Sequence, residues 1–279
     1  MTRTPPVAVT IDGHRTRLKW HRARATSTDA PFTASRIVEG MVLGASIEID
    51  LVLTADAQCA VLHDRTIERA TTGTGAINAV SAAYLRTTYL RDNHGTPLDE
   101  HVLLLDDLAA LLGSATVHPD AVVQLDFKEA ATDLTDQVVT NFVAAVTPFA
   151  HHALLSCGDA AAVGILTDAV PTLRVGYDPC HHGAVDRVLR SRDYQRFVAD
   201  AVAASPRAEI VYLDKRLVLK TARRGVDLIE LFHSADREVD VYTFTGADDP
   251  GILKAIDLRA NQITVDDPQG VYRRLSPVD

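Results

Sequence analysis

From Val122 to the end of the chain, short apolar runs alternate with stretches of helical periodicity, and this alternation restricts the fold more than any other feature. Val122–Phe127, Ala153–Ser156, Leu173–Tyr177, Ile210–Leu213, Val239–Phe244 and Ile263–Val265 read as strands. Leu134–Val146, Ala160–Asp168, Ala184–Leu189, Tyr194–Ala203, Val226–Ala235 and Gly251–Leu258 read as the helices among them. Strands joined through helices run parallel, so the pattern predicts an α/β fold. The 279 residues suit one barrel of about 250 residues. The expectation is a TIM (β/α)8 barrel forming a single domain over residues 1–279.

The first half is less regular. Val7, Val9 and Ile11 lead into Asp12-Gly13, and Leu18 and Trp20 lead out. Asp-Gly is a strong hairpin signal, so residues 1–20 are expected as a hairpin or extended lead-in. Ala34–Leu43 and Leu103–Leu112 have helical periodicity. Ser46–Leu53 and Cys59–His63 are strand-like, which makes nine strand-like runs for eight barrel positions. Too few residues separate Asp50 from Cys59 for a crossover helix. Cys59–His63 therefore either pairs antiparallel or returns on an extended path. Asp64–Pro97, rich in Thr, Gly, Arg and Asn, reads as an excursion between the third and fourth strands, with a short helix over Ser81–Arg86.

Composition excludes some roles. The net charge of −9 argues against a nucleic-acid partner, because phosphate backbones require basic surface. Three widely spaced cysteines, Cys59, Cys157 and Cys180, suit a reduced cytoplasmic protein without a disulfide frame. Met1-Thr-Arg-Thr-Pro-Pro opens with no apolar run, so no secretory signal is expected. No stretch approaches the roughly 18 apolar residues of a membrane span, and no membrane partner is expected. Oligomeric state is left open.

The chemistry concentrates at four strand ends. In Ile47-Glu48-Ile49-Asp50 the two carboxylates share one strand face and the isoleucines the other. Neighbouring carboxylates repel unless a cation lies between them or water bathes them. Leu62-His63-Asp64 follows. His21-Arg22 ends the lead-in, and Asp126 with Lys128 ends a later strand. Strand C-termini of a parallel barrel converge on one face. All-oxygen ligands suit Mg²⁺ or Ca²⁺ better than zinc. Arg22 and Lys128 would hold an anion, and His21 and His63 would supply an acid and a base. Together these groups fit attack on a phosphate ester.

At these residues the chain resembles the glycerophosphodiester phosphodiesterase family, whose fold is a TIM barrel. The likeness runs through His21-Arg22, Gly44 to Asp50, Leu53-Thr54-Ala55-Asp56, Val61 to Thr66, Arg69 to Gly75, and Asp126-Phe127-Lys128. Val241-Tyr242-Thr243-Phe244 and Asp266-Asp267-Pro268 resemble its late strand and final Asp-x-Pro. The resemblance implies His21 and His63 as the acid/base pair. It also implies Glu48, Asp50 and Asp126 as ligands of a divalent metal, and Arg22 and Lys128 as phosphate-binding residues. The implied partner is a small-molecule phosphodiester.

Three departures bear on the substrate. Ala23 stands where the family has Gly, Pro31-Phe32-Thr33 replaces Pro-Glu-Asn-Thr, and Asp126 stands in place of the usual Glu. They point to a specialised diester, such as one joining sugars in an opine. Two rival readings are a lyase similar to spider-type phospholipase D, which also uses Asp as third ligand and yields a cyclic phosphate, and a catalytically silent sugar-phosphate-binding barrel.

Other residues carry less. His151-His152 and His181-His182 are adjacent pairs, and neighbours on a strand face opposite ways; they read as loop or edge residues, with His181 and His182 at the mouth of the site. Asp106-Asp107 reads as the exposed side of a helix. Thr72-Gly73-Thr74-Gly75 lacks the Lys of a phosphate loop and reads as a turn. Tyr177 and Tyr242 sit near strand ends, where they can contact substrate or pack in the core.

Overall fold

The structure is a computed structural model that describes residues 7–276; the first six residues of the lead-in lie outside the described residues. The described residues form twelve strands: β1 Ala8–Ile11, β2 His14–Trp20, β3 Ser46–Leu53, β4 Cys59–Val61, β5 Tyr89–Arg91, β6 Pro97–His101, β7 Val122–Phe127, β8 Ala153–Ser156, β9 Arg174–Tyr177, β10 Ile210–Asp214, β11 Glu238–Phe244 and β12 Gln262–Val265. Eight close into a parallel ring in the order β2-β3-β7-β8-β9-β10-β11-β12, with β12 returning to β2. The fold is a TIM barrel.

The Asp12-Gly13 hairpin forms as expected, both residues at positive φ. Its second arm is itself the first barrel strand, and β1 lies antiparallel outside it. The ninth strand-like run is resolved at β4. It pairs antiparallel with β3, Leu53 opposite Cys59 and Leu51 opposite Val61, and takes no barrel position. The excursion therefore follows the second strand of the ring, not the third. It also holds the β5–β6 hairpin, which turn-rich sequence hid.

Strand alternation sorts the barrel's two faces. Ile47, Ile49 and Leu51 point outward, buried among Ile37 and Met41 of the helix Ala34–Leu43. Gly40 of that helix allows the close approach: a Cβ there would lie 2.8 Å from Ile47 Cγ2. Aspartates start many of the later helices. Asp159, Asp193, Asp227, Asp249 and Asp267 each accept a backbone N–H of the first turn, satisfying donors that have no partner within the helix. Two helices escape the periodicity reading, Lys215–Ala222 and Pro268–Leu275. The first follows β10 without a loop, because Asp214 is both its N-cap and the last strand residue.

The inward face is polar in its upper half. Lys19 and Asp240, both essentially unexposed, form an ion pair at 2.8 Å. Asp240 also accepts from Gln262 Nε2 (2.6 Å) and Thr264 Oγ1 (2.8 Å). Lys19 donates to Gln124, Gln124 Nε2 donates to Ser156 Oγ (2.8 Å), and Ser156 Oγ donates to Asp126 Oδ1 (3.0 Å). This chain of donors crosses the barrel and ends on a site carboxylate. Removing one partner of a buried pair strands the other charge. Lys19→Met should therefore cost about 3–5 kcal/mol in urea unfolding, and adding Asp240→Asn should recover much of that loss. A Lys19→Met protein as stable as wild type would refute the pairing.

Candidate active site

All seven residues expected to act together line one cavity of about 270 Å³ at the C-terminal rim of the strands. His21 and Arg22 directly follow β2, Glu48 and Asp50 lie on β3, and Asp126 and Lys128 lie at and just beyond the end of β7. His63 arrives by another route. It follows no barrel strand; β4 runs back along β3, and continuing its register would set His63 opposite Ile49. The antiparallel return thus carries His63 down to the level of the two acids.

Oxygens of Glu48, Asp50 and Asp126 lie within 4.8 Å of one another. Asp50 is 1% exposed, and neither of its oxygens has a well-formed hydrogen bond. Its contacts are ionic: Lys128 Nζ at 2.7 Å and Arg22 Nε at 3.4 Å. Burial and the charge of Glu48 push Asp50 up to about 7, against the opposing pull of Lys128. Lys128 also contacts Asp126. Burial opposes the charge on Lys128, but Asp126 and Asp50 hold its ammonium well above the usual range. A buried carboxylate that accepts no well-formed hydrogen bond, beside two further carboxylates, is a ligand set that fits a hard divalent cation.

The two histidines are anchored differently. His21 Nδ1 lies 2.5 Å from Asp266 Oδ1, and Arg24 also pairs with Asp266. Burial pulls the His21 imidazole below its usual range; Asp266 opposes this, and Arg22 and Arg24 add to it. Asp266 itself sits below the usual carboxylate range, because its contacts with His21 and Arg24 outweigh burial. His63 is 41% exposed and its Nδ1 lies 3.0 Å from Asp64 Oδ1. Arg69 grips Asp64 through two hydrogen bonds, 2.6 and 2.8 Å, and holds that carboxyl down at about 2.

Backbone strain gathers here. Arg22 and Ala23 have φ of +55° and +58°, and Phe32 has +62°. Phe32 N–H donates to the Arg22 carbonyl (2.9 Å) and ties the two turns together. Glycine would adopt such a conformation freely at position 23; alanine adopts it at a cost of about 1–2 kcal/mol, with its methyl group fully buried. The Arg22 N–H donates to Glu48 Oε2 (2.7 Å), so the turn also fixes a site carboxylate.

Some of the site was not foreseen. Asp178, near the end of β9, lines the cavity and pairs with His181 Nε2 at 2.9 Å, and this contact raises the His181 pKa above its usual value despite burial. Tyr242 lines the cavity as well, while His182 does not. His151 and His152 end a 3-10 turn elsewhere, and Asp106 and Asp107 pair with Arg86 on the surface. Lys19 and Asp240 carried a readable signal: each is a charge between apolar neighbours in a strand, at an inward position. Asp266 was visible as a motif, but its pairing with His21 spans 245 positions.

The family model for the glycerophosphoryl diester phosphodiesterase family matches residues 33–269. The chain belongs to this family. Membership makes it a phosphoric diester hydrolase, and members of the glycerophosphoryl diester phosphodiesterase family usually bind a divalent metal, in keeping with the acidic cluster. Solved structures share the barrel. A glycerophosphodiester phosphodiesterase from Agrobacterium tumefaciens is 21% identical, over 91% of this chain and 98% of its own, with TM-score 0.65. A phosphodiesterase from Oleispira antarctica, solved with the product sn-glycerol-3-phosphate, is 14% identical over 92% and 95%, with TM-score 0.64. A glycerophosphodiester phosphodiesterase from Thermotoga maritima is 16% identical over 94% and 99%, with TM-score 0.62. No curated protein matches the sequence significantly. Among the described residues no helix is long and apolar enough to cross a membrane.

Proposed function

We propose that this chain hydrolyses a small glycerophosphodiester, or a sugar phosphodiester such as an opine, to a phosphomonoester and an alcohol. One observation carries the reading: residues spread from His21 to Lys128 line a single cavity, with three carboxylates clustered on one side. Glu48, Asp50 and Asp126 would hold Mg²⁺ or Ca²⁺, which when bound neutralises charge on the phosphoryl oxygens. Arg22 and Lys128 bind the phosphate; Arg22 can do so with two parallel hydrogen bonds. His21 acts as the base. Its Nδ1–H donates to Asp266, which leaves the Nε2 lone pair to accept a proton from the nucleophile. His63, anchored by Asp64, donates the proton to the leaving oxygen.

The alcohol released and the phosphomonoester retained are both small molecules, and no nucleic-acid or membrane partner enters the reading. Three unpaired cysteines support a cytoplasmic location. We read residues 1–279 as one barrel domain. Asp126 as the third ligand favours a second reading, in which a hydroxyl next to the ester attacks and a cyclic phosphate leaves.

Phosphorus NMR of a glycerophosphodiester incubated with the protein tests both. The expected product is a monoester; a cyclic phosphate as end product would select the second reading. Excess chelator should abolish turnover, and Mg²⁺ or Ca²⁺ should restore it. Full turnover in chelator would remove the metal from the reading.

A further inference from the structure

Beside the main cavity lies a second one, of about 250 Å³, and Arg22 and His63 line both. A phosphodiester carries two arms on one phosphorus. A phosphate held at Arg22 beside His63 can therefore rest one arm over the acidic cluster and send the other into the second cavity. We infer that the second cavity is the subsite for the leaving alcohol, and that it takes an uncharged polyol or sugar rather than a cationic amino alcohol. The inference rests on the phosphodiesterase reading above, including the role of His63, and names the alcohol that the reaction releases.

The lining supplies the reason. Of its arginines, Arg22 faces Asp50 at 3.4 Å and Arg69 is neutralised by Asp64. Arg91 is not neutralised: its Nε donates to the Thr71 carbonyl (2.7 Å) and its Nη1 to the Gly95 carbonyl (2.6 Å). No ion pair ties it to a carboxylate among the described residues. With Arg22 set against Asp50 and Arg69 against Asp64, what is left in this lining is the Arg91 guanidinium and the Asp92 carboxylate, whose Oδ1 already accepts from the backbone N–H groups of His94 and Thr96. A quaternary ammonium gains no net charge attraction there and cannot accept a hydrogen bond from Arg91. It would also lack the aromatic cage that binds such cations, since Phe32 is the lone Phe, Tyr or Trp in the wall. A hydroxyl-rich arm instead meets donors on Arg91 and an acceptor on the next residue, Asp92.

The excursion and the altered segment Pro31-Phe32 build this cavity together. Asn93 Nδ2, in the turn between β5 and β6, points at the carbonyls of Ser27, Thr28 and Asp29, at 3.4, 3.3 and 3.2 Å. It pins the hairpin against the loop that carries Phe32. Pro31 and Phe32 then form an apolar side to a charged wall, a surface suited to the C–H face of a sugar ring. The sequence departure from Pro-Glu-Asn-Thr thus falls on the wall of the second cavity.

The test is a set of glycerol 3-phosphate esters of inositol, glycerol, choline and methanol, assayed with Mg²⁺ or Ca²⁺, with the released alcohol identified. Wild type should release inositol and prefer that ester to the choline ester in kcat/KM by about tenfold or more, the worth of one charge-assisted hydrogen bond. Arg91→Met should erase most of that preference, and Arg91→Lys should restore part of it. Ala70→Leu narrows the cavity without altering charge; it should raise KM for the inositol ester more than for the methyl ester. A preference unmoved by Arg91→Met, or an inositol-to-methyl KM ratio unmoved by Ala70→Leu, overturns the inference. If Arg91→Met does not fold, the Ala70→Leu ratio alone decides. Wild-type failure on all four esters would strike at the phosphodiesterase reading instead.

Discussion

Replacing His21 with alanine should lower kcat by about 10²–10⁴, the usual worth of a positioned acid/base group, with little change in KM. The imidazole is partly buried, faces the cavity, and is held through Nδ1 by Asp266. Asp266→Asn separates positioning from chemistry. It should lower kcat by about 10–100-fold, as loss of an orienting partner does. It should also move a pH profile in a known direction. Asp266 raises the His21 pKa against the pull of burial, so removing its charge lets that pKa fall further. The acid limb of kcat/KM should therefore shift to lower pH even as the plateau drops. A variant that loses activity with an unshifted limb would reduce Asp266 to a structural role. Wild-type rates in His21→Ala would remove His21 from the mechanism.

The second large effect has opposite signs for activity and stability. Asp50→Asn should lower turnover by about a thousandfold, on the scale of losing a principal electrostatic group, yet stabilise the metal-free protein. Burial and Glu48 raise the Asp50 pKa from 3.8 to about 7. A carboxyl whose folded pKa is raised contributes stability that is fully present below its unfolded pKa and is lost as pH rises through the folded value. Metal-free wild type should thus lose stability between pH 3.8 and about 7 through this group, while Asp50→Asn should not. Above that window the variant should be more stable by about 1–3 kcal/mol, because Lys128 keeps Asp126 as its partner while the penalty that burial and Glu48 place on the Asp50 charge is removed. Added Mg²⁺ or Ca²⁺ should raise the Tm of wild type by binding the folded state, and should leave the variant unmoved. Equal stabilisation of both by the ion would exclude Asp50 as a ligand.

The fold was legible because the second half repeats one local rule. Each strand there is a short, largely apolar run, and many of the helices begin with an aspartate cap. Legibility failed where local signals overlap. Cys59–Val61 has the composition of a barrel strand, yet it pairs antiparallel beside β3. Lys215–Ala222 shares its cap with the preceding strand and so lost its boundary. The site acids were legible for a different reason: an acidic alternation within isoleucines has few physical uses.

Residue types, their parity on each strand and the α/β rhythm are written in the chain itself, because they depend on neighbours a few positions apart. The partners emerge only on folding. Asp266 reaches His21 across 245 positions, Lys19 finds Asp240 only when the ring closes, and the Asn93 turn meets the Phe32 loop only when the excursion folds back. Such contacts depend on register and closure, which no short window of sequence contains.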